Sequence, residues 1–214
     1  YEIPLRLVGS EMCIRDSPWY NAVYDHVEQA MNDFAAATGR QYQPFEYYGH
    51  PQAERVIILM GSAIGTSEEV VDELLTRGEK VGVLKVRLYR PFSAKHLLQA
   101  LPGSVRNVAV LDRTKEPGAQ AEPLYLDVMT ALAEAFNNGE RETLPRVIGG
   151  RYGLSSKEFG PDCVLAVFAE LNAAKPKARF TVGIYDDVTN LSLPLPENTL
   201  PNSAKLEALF YGLG

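Results

Sequence analysis

One apolar run that ends abruptly in charges is the most informative feature of the chain. Residues 108–111 read Val-Ala-Val-Leu, and Arg113, Lys115 and Glu116 follow within five positions. A short run that is apolar on both faces is typical of a central strand in a parallel sheet, since helices cover both faces of such a strand. We therefore predict a strand over residues 105–112. Its carboxyl end lies where open α/β sheets bind ligands or partners.

The charged block after this strand has two interpretations. It is either a solvated loop with local ion pairs, which is the common case for a run of charges, or a surface that binds a ligand or another domain. Pro117 and Gly118 then predict a turn. The residues alone leave both interpretations open.

Apolar runs of strand length alternate with amphipathic stretches of helix length along most of the chain. Strands are predicted at residues 55–60, 81–89, 105–112, 146–150 and 180–184. Helices are predicted at residues 19–39, 67–77, 93–101, 124–136 and 162–173. This alternation predicts an α/β fold, a parallel-sheet three-layer domain with right-handed crossovers and a short extended/β C-terminal segment.

Two local patterns refine these helices. Thr66 and Glu69 stand three residues apart, which predicts a capping box at the start of the helix over residues 67–77. In the helix over residues 124–136, apolar spacing predicts four residues that face the core. They are Leu126, Met129, Leu132 and Ala133.

Two further stretches set the predicted domain limits. Residues 40–52 contain four aromatic residues, two prolines and one glycine, which excludes a helix. We interpret them as a linker packed on a neighbouring domain, with an edge strand or a loop packed on its own domain as the alternatives. Residues 193–201 carry three prolines and predict an extended segment, with a last strand at 205–211. The predicted regions are residues 1–17, a helix and linker from a preceding domain at 18–52, the α/β domain at 53–175, and an extended connection with the start of the next domain at 176–214.

The first residues are excluded from this fold prediction. Residues 7–17 read LVGSEMCIRDS, with neither helical nor strand periodicity and without the anatomy of a signal peptide. They resemble the translation of a sequencing adapter. We therefore expect residues 1–17 to be foreign to the natural protein, whose gene would be truncated there. The apolar, glycine-rich residues 209–214 lead us to expect that the natural protein also continues beyond this chain.

Composition narrows the classes of partner. The net charge of −6 argues against nucleic acid or an anionic membrane, and no apolar stretch approaches the roughly 20 residues of a membrane-spanning helix. Cys13 and Cys163 are the two cysteines, and they lie far apart without CxxC spacing. This excludes a thiolate cluster built by the chain alone and is typical of a reducing compartment, so we expect a cytoplasmic protein.

No motif supplies a complete active site. Residues 61–65, Gly-Ser-Ala-Ile-Gly, occupy the position of a phosphate-binding turn, but they lack the third glycine of a dinucleotide fingerprint and the lysine of a P-loop. Asp186 and Asp187 are better explained by a turn than by a metal site, and Cys163 by a buried structural thiol. We predict no catalytic residue and no metal ligand here.

Several long motifs follow one another along residues 19–214. They read KVRLYRPF at 85–92, LDRTKEPGA at 111–119, PLYLDV at 123–128, GRYGLSSKEF at 150–159, FTVGI at 180–184, DDVT at 186–189 and FYGLG at 210–214. In this order they resemble the pyruvate:ferredoxin (flavodoxin) oxidoreductases. The resemblance implies the second domain of that enzyme, with the fold of a transketolase C-terminal domain.

The resemblance also implies an activity for the whole enzyme. It would convert pyruvate and CoA to acetyl-CoA and CO₂, pass electrons to ferredoxin or flavodoxin, and form a homodimer. Thiamine diphosphate, magnesium and [4Fe–4S] clusters would be held by its other domains, with no cofactor in this fragment. The fragment would be a scaffold without activity of its own. Arg113, Lys115 and Glu116 would contact another domain of the same enzyme, while Gly212 and Gly214 would begin a glycine-rich stretch near CoA.

Two alternatives remain open at this point. The chain is also consistent with the corresponding domain of another 2-oxoacid oxidoreductase or transketolase-type thiamine enzyme, or with an independent α/β module that binds a small molecule at its strand ends. For a scaffold domain we expect neighbouring domains to cover several aromatic residues. These are Phe45, Tyr47, Tyr48, Phe210 and Tyr211.

Overall fold

Helices and strands alternate along the described part of the chain. The computed structural model describes residues 10–186 and 188–196. The helices are α1 (Ser10–Thr38), α2 (Ala63–Thr76), α3 (Ala94–Ala100), α4 (Pro123–Asn137) and α5 (Pro161–Asn172). The strands are β1 (Phe45–Gly49), β2 (Arg55–Leu59), β3 (Val81–Val86), β4 (Asn107–Asp112), β5 (Arg146–Arg151) and β6 (Arg179–Thr181).

The six strands form one sheet in the order β1-β3-β2-β4-β5-β6. β1 runs antiparallel to β3, and all other neighbouring strands are parallel. The predicted α/β fold is confirmed. The strand order reverses direction between β2 and β4, which makes this position the topological switch point of the sheet.

Two hydrophobic cores lie on opposite faces of the sheet. One packs α2 and α5 against the sheet, and the other packs α3 and α4. Along β2, Ile57 and Leu59 belong to the first core, whereas Val56 and Ile58 belong to the second. Because both faces of the strand are buried, residues 56–59 of β2 are all apolar. The arrangement has the three layers that the alternation of elements predicts.

The stretch interpreted as a linker contains an edge strand. β1 at Phe45–Gly49 pairs with β3 along its whole length, so the linker interpretation is wrong for these residues and the edge-strand alternative is confirmed. Pro44 and Pro51 flank the strand without interrupting it. Prolines are tolerated at the ends of edge strands, where no ladder hydrogen bond is lost.

The aromatic residues of β1 differ in their surroundings. Phe45 is buried, and the Tyr47 hydroxyl donates a hydrogen bond to the backbone oxygen of His50 at 2.6 Å. Phe45 therefore packs within this domain, and the expectation that a neighbouring domain covers it is wrong. Tyr47 is only partly buried, so its coverage by a neighbouring domain stays a prediction. Tyr48 is exposed. Phe210 and Tyr211 lie outside the described residues.

The residues after position 175 also contribute to the sheet. β6 pairs with β5, and Phe180, Val182 and Leu193 are buried in the core shared by α2 and α5. The sheet therefore includes two strands outside residues 53–175. They are β1 before this range and β6 after it. The strand predicted at 205–211 lies outside the described residues.

Helix α1 begins earlier than predicted. It starts at Ser10, nine residues before position 19, and Pro18 lies inside it. A proline removes one backbone hydrogen bond from a helix and often ends it, but here the helix continues through it. The foreign origin of residues 1–17 stays a prediction.

Helix α2 also begins earlier than predicted, so the capping box at Thr66 is wrong. The helix starts at Ala63, because Gly61 turns the chain directly after β2 with φ of +83°, a backbone conformation that glycine adopts easily. Ser67 lies one turn into the helix and donates its hydroxyl to the Ala63 carbonyl at 2.8 Å.

The core-facing side of α4 differs from the predicted one. Of the four predicted residues only Leu132 is fully buried, and Leu126 is 41% exposed. The residues that α4 buries are Leu124, Val128, Ala131, Leu132 and Ala135. The helix carries apolar residues on more than one side, so their spacing does not select the buried side.

Candidate functional site

The predicted charged residues lie in the loop that leaves β4 at the carboxyl edge of the sheet. Arg113 follows β4 directly, and its Nε donates a hydrogen bond to the Gly153 carbonyl at 3.2 Å. Lys115 and Glu116 are exposed. Among residues 10–186 and 188–196, none of these three charges forms a salt bridge. We call Arg113, Lys115 and Glu116 the charged rim.

Asp112, the last residue of β4, points away from the rim. Its carboxylate accepts hydrogen bonds from the backbone N–H groups of Leu124 at 3.0 Å and Tyr125 at 3.1 Å. Burial raises the pKa of Asp112, the two N–H donors act in the opposite direction, and the nearby Glu122 and Asp127 carboxylates raise it further. Asp112 thus satisfies the first turn of α4, a structural role.

Other charged groups at this edge pair with each other. The buried Glu122 carboxylate accepts a hydrogen bond from Arg151 Nε at 2.5 Å. Asp127 Oδ2 is contacted by Arg90 Nη2 at 2.8 Å and by the Tyr89 hydroxyl at 2.9 Å. Burial, followed by the hydrogen bond to Asp127, raises the pKa of Tyr89 to about 12. These groups hold the loops in place, and the rim differs from them because its three residues are exposed and form no salt bridge among the described residues.

The described residues that could act as nucleophiles are in structural positions. Burial raises the pKa of the Cys163 thiol, so the predicted buried thiol is confirmed. Ser93 Oγ lies 2.5 Å from His96 Nδ1, a pair that the sequence analysis did not identify. The His96 ring also stacks on Tyr24 with 3.8 Å between ring centroids. This histidine therefore fixes α1 against α3.

The predicted turn at residues 186–189 is present in its described part. Asp186 Oδ1 accepts hydrogen bonds from the N–H groups of Val188 at 3.1 Å and Thr189 at 2.9 Å. The Thr189 hydroxyl donates to the same carboxylate and is the largest cause of the lowered Asp186 pKa. Asp187 lies outside the described residues.

A [4Fe–4S] cluster, one of the groups implied by the sequence resemblance, does not fit the residues of this chain alone. A [4Fe–4S] cluster is held by four cysteines, and the chain has two. No group of three or more His, Cys, Asp or Glu side chains that could hold a metal ion occurs among the described residues. We derive no reaction step through these groups.

Comparisons with known proteins show a similarity that includes this edge of the sheet. The family model described as "Pyruvate:ferredoxin oxidoreductase core domain II" matches residues 53–153. The domain II match extends from just before β2 to just after β5, so it contains the charged rim and the switch point. The predicted resemblance is confirmed.

The chain is similar to much longer relatives. It is 98% identical over 198 residues to "Probable pyruvate-flavodoxin oxidoreductase" of Escherichia coli K12, which covers 92% of this chain and 17% of that protein. It is 56% identical over 199 residues to "Pyruvate-flavodoxin oxidoreductase" of Trichormus variabilis, with 92% and 16% covered. The chain therefore spans about a sixth of the length of these relatives.

A solved structure is similar over part of the chain. It is 2-oxoglutarate:ferredoxin oxidoreductase from Magnetococcus marinus with 2-oxoglutarate, coenzyme A and succinyl-CoA bound. The match has a TM-score of 0.40 and 20% sequence identity, and covers 62% of this chain and 20% of that chain.

The predicted site residues divide into two groups. Arg113, Lys115 and Glu116 lie together at one edge of domain II, where their contact with another domain stays a prediction. Gly212 and Gly214, predicted near CoA, lie outside the described residues. Within the described residues no helix is both long and apolar enough to cross a membrane.

Proposed function

We propose that this chain is a scaffold region of a cytoplasmic pyruvate:ferredoxin or pyruvate:flavodoxin oxidoreductase. The whole protein would convert pyruvate and CoA to acetyl-CoA and CO₂ and pass two electrons to ferredoxin or flavodoxin. It would use thiamine diphosphate, magnesium and [4Fe–4S] clusters bound by its other domains, and it would act as a homodimer. The 98% identity over 198 residues carries this proposal.

The scaffold role is supported by the way charges are arranged at the carboxyl edge. Asp112, Glu122 and Asp127 are satisfied by groups of this chain, whereas the charged rim faces solvent. Outward charges of both signs suit a polar interface between domains, which resembles a transient protein–protein interface. In the proposal, Arg113, Lys115 and Glu116 bind complementary charges on a neighbouring domain of the same polypeptide.

The experiment uses the full-length Escherichia coli relative with its matching segment replaced by this chain's sequence. Alanine is substituted at Arg113, Lys115 and Glu116, singly and together, and flavodoxin reduction that depends on pyruvate and CoA is measured. We expect each single variant to keep kcat within about threefold, because removing a general acid or base typically costs about 10²–10⁴-fold. Lys95→Ala, an exposed lysine on α3, is the matched control.

Two results would contradict the scaffold proposal. One is an unsubstituted hybrid without pyruvate-dependent flavodoxin reduction, which would argue against the assigned reaction. The other is a loss of more than about 100-fold in kcat for one rim variant with unchanged thermal unfolding, which would give that residue a part in the chemistry.

A further inference from the structure

A small cavity lies at the topological switch point of the sheet. Its volume is about 120 Å³, and its walls come from three separate connections. Ser62 follows β2, Arg113 follows β4, and Gly153 and Lys157 follow β5. Crevices at such switch points are the usual ligand sites of open α/β sheets. We call it the switch-point cavity.

Two cationic side chains line this cavity, and no acidic side chain of the described residues does. The hydrogen bond from Arg113 Nε to the Gly153 carbonyl holds the guanidinium group at the wall. Neither Arg113 nor Lys157 forms a salt bridge within the described ranges. The nearest acidic residue along the chain, Asp112, is directed toward the first turn of α4. As far as the described part of the chain extends, the cavity therefore has a positive wall without a counter-ion.

The remaining wall is rigid and partly polar. Tyr152 is buried, and its hydroxyl donates to the Met60 carbonyl at 3.0 Å. The Arg113 charge lowers the pKa of Tyr152, against a larger rise caused by burial. Ser62 is free of any side-chain capping bond to α2, so its hydroxyl is available to a ligand.

We propose that the switch-point cavity binds a phosphate group. A volume of about 120 Å³ lies well below the roughly 300–1,000 Å³ of pockets that hold drug-sized ligands, which leaves room for one phosphate and not for a nucleoside. The ligand is then inorganic phosphate, or the terminal phosphate of a larger molecule that otherwise lies outside the cavity. Arginine and lysine together suit phosphate, since the guanidinium fork can donate two hydrogen bonds and the ammonium group adds a second charge.

This proposal is separate from the scaffold role. Arg113 belongs to both proposals, whereas Lys157 belongs to the cavity alone. A substitution at Lys157 therefore tests phosphate binding without removing a residue of the charged rim.

The test is isothermal titration of the 214-residue chain with inorganic phosphate at constant ionic strength. We expect saturable binding with a Kd on the order of 1 mM. Lys157→Gln should weaken binding about three- to tenfold, because it removes one charged hydrogen-bond donor while the loop backbone stays intact. Arg113→Gln should weaken it at least as much. Lys95→Gln is the control and should leave the Kd unchanged.

Adenosine 5′-monophosphate distinguishes the two sources of phosphate. Binding at least tenfold tighter than that of inorganic phosphate would support a larger phosphate ester, and equal or weaker binding would support the free ion. The proposal is overturned if no saturable binding occurs up to about 20 mM phosphate, well above the expected Kd. It is also overturned if Lys157→Gln and Lys95→Gln give the same Kd. Circular dichroism of each variant verifies that the fold is retained.

Discussion

Replacing Phe180 with alanine is expected to lower the free energy of unfolding by about 4 kcal/mol, the usual cost of removing a buried phenylalanine side chain. Phe180 is fully buried in the middle of β6, a strand of three residues. It fills the space above Gly150 of β5, where an added Cβ would lie 2.4 Å from the Phe180 ring. Its removal leaves a cavity between β6 and α5 that the surrounding side chains cannot fill.

The measurement is urea unfolding of the 214-residue chain, with the m-value compared between variants. Tyr185→Ala is the matched control, because this aromatic residue lies five positions later and is 95% exposed. We expect the control to change stability by less than about 0.5 kcal/mol. A loss below about 1 kcal/mol for Phe180→Ala would mean that residues after 175 are a loose connection and not part of the core.

Replacing Lys85 with methionine is expected to lower the free energy of unfolding by about 2 kcal/mol, less than the 3–5 kcal/mol typical of a fully buried pair. The Lys85 side chain is only 4% exposed, and its Nζ contacts the carboxylates of Glu46 on β1 and Glu68 on α2. Methionine keeps the apolar stem and removes the charge. The Glu46 and Glu68 carboxylates then lose the positive charge that both contact. Because these side chains are 28% and 30% exposed, the expected loss of stability is smaller than for a fully buried pair.

Lys80→Met is the matched control for this substitution. Lys80 pairs with Glu54 at 3.4 Å, and both side chains are about half exposed, so its loss should cost less than about 0.5 kcal/mol. Adding Glu68→Gln to Lys85→Met should restore part of the stability, because it removes one of the repelling charges. If Lys80→Met and Lys85→Met had the same free energy of unfolding, the ion pairs of Lys85 with Glu46 and Glu68 would not stabilise the packing of β1 and α2 on the sheet.

The central strands could be predicted from the sequence because their residues are buried on both faces. The Val-Ile-Ile-Leu run of β2 and the Val-Ala-Val-Leu run of β4 contain no polar residue, so the hydrophobic pattern predicts a buried strand in both cases. The same rule failed for β1. Its Glu46 lies in the strand and pairs with Lys85 and Arg87, so an ion pair replaces the apolar contact that the pattern requires.

The contacts between distant residues could not be predicted. Lys85 meets partners 39 and 17 positions away, and local spacing carries no information on such pairs. Which side of α4 is buried depends on where α3 and the sheet lie. The apolar spacing of α4 alone therefore allows either Leu124 or Leu126 to face the core. The switch-point cavity likewise depends on strand order, because its walls follow β2, β4 and β5, which are neighbours in the sheet although β3 separates β2 from β4 along the chain.

Hydrogen–deuterium exchange at the charged rim tests most directly whether another domain covers it. Backbone amides of residues 113–116 and 118 are compared between the 214-residue chain and the full-length hybrid enzyme, with the unfolded chain as the reference for unprotected exchange. The scaffold account predicts exchange close to the reference rate in the chain and at least tenfold slower exchange in the hybrid. Equally fast exchange in both proteins would show that the rim stays open to solvent, and would contradict the account.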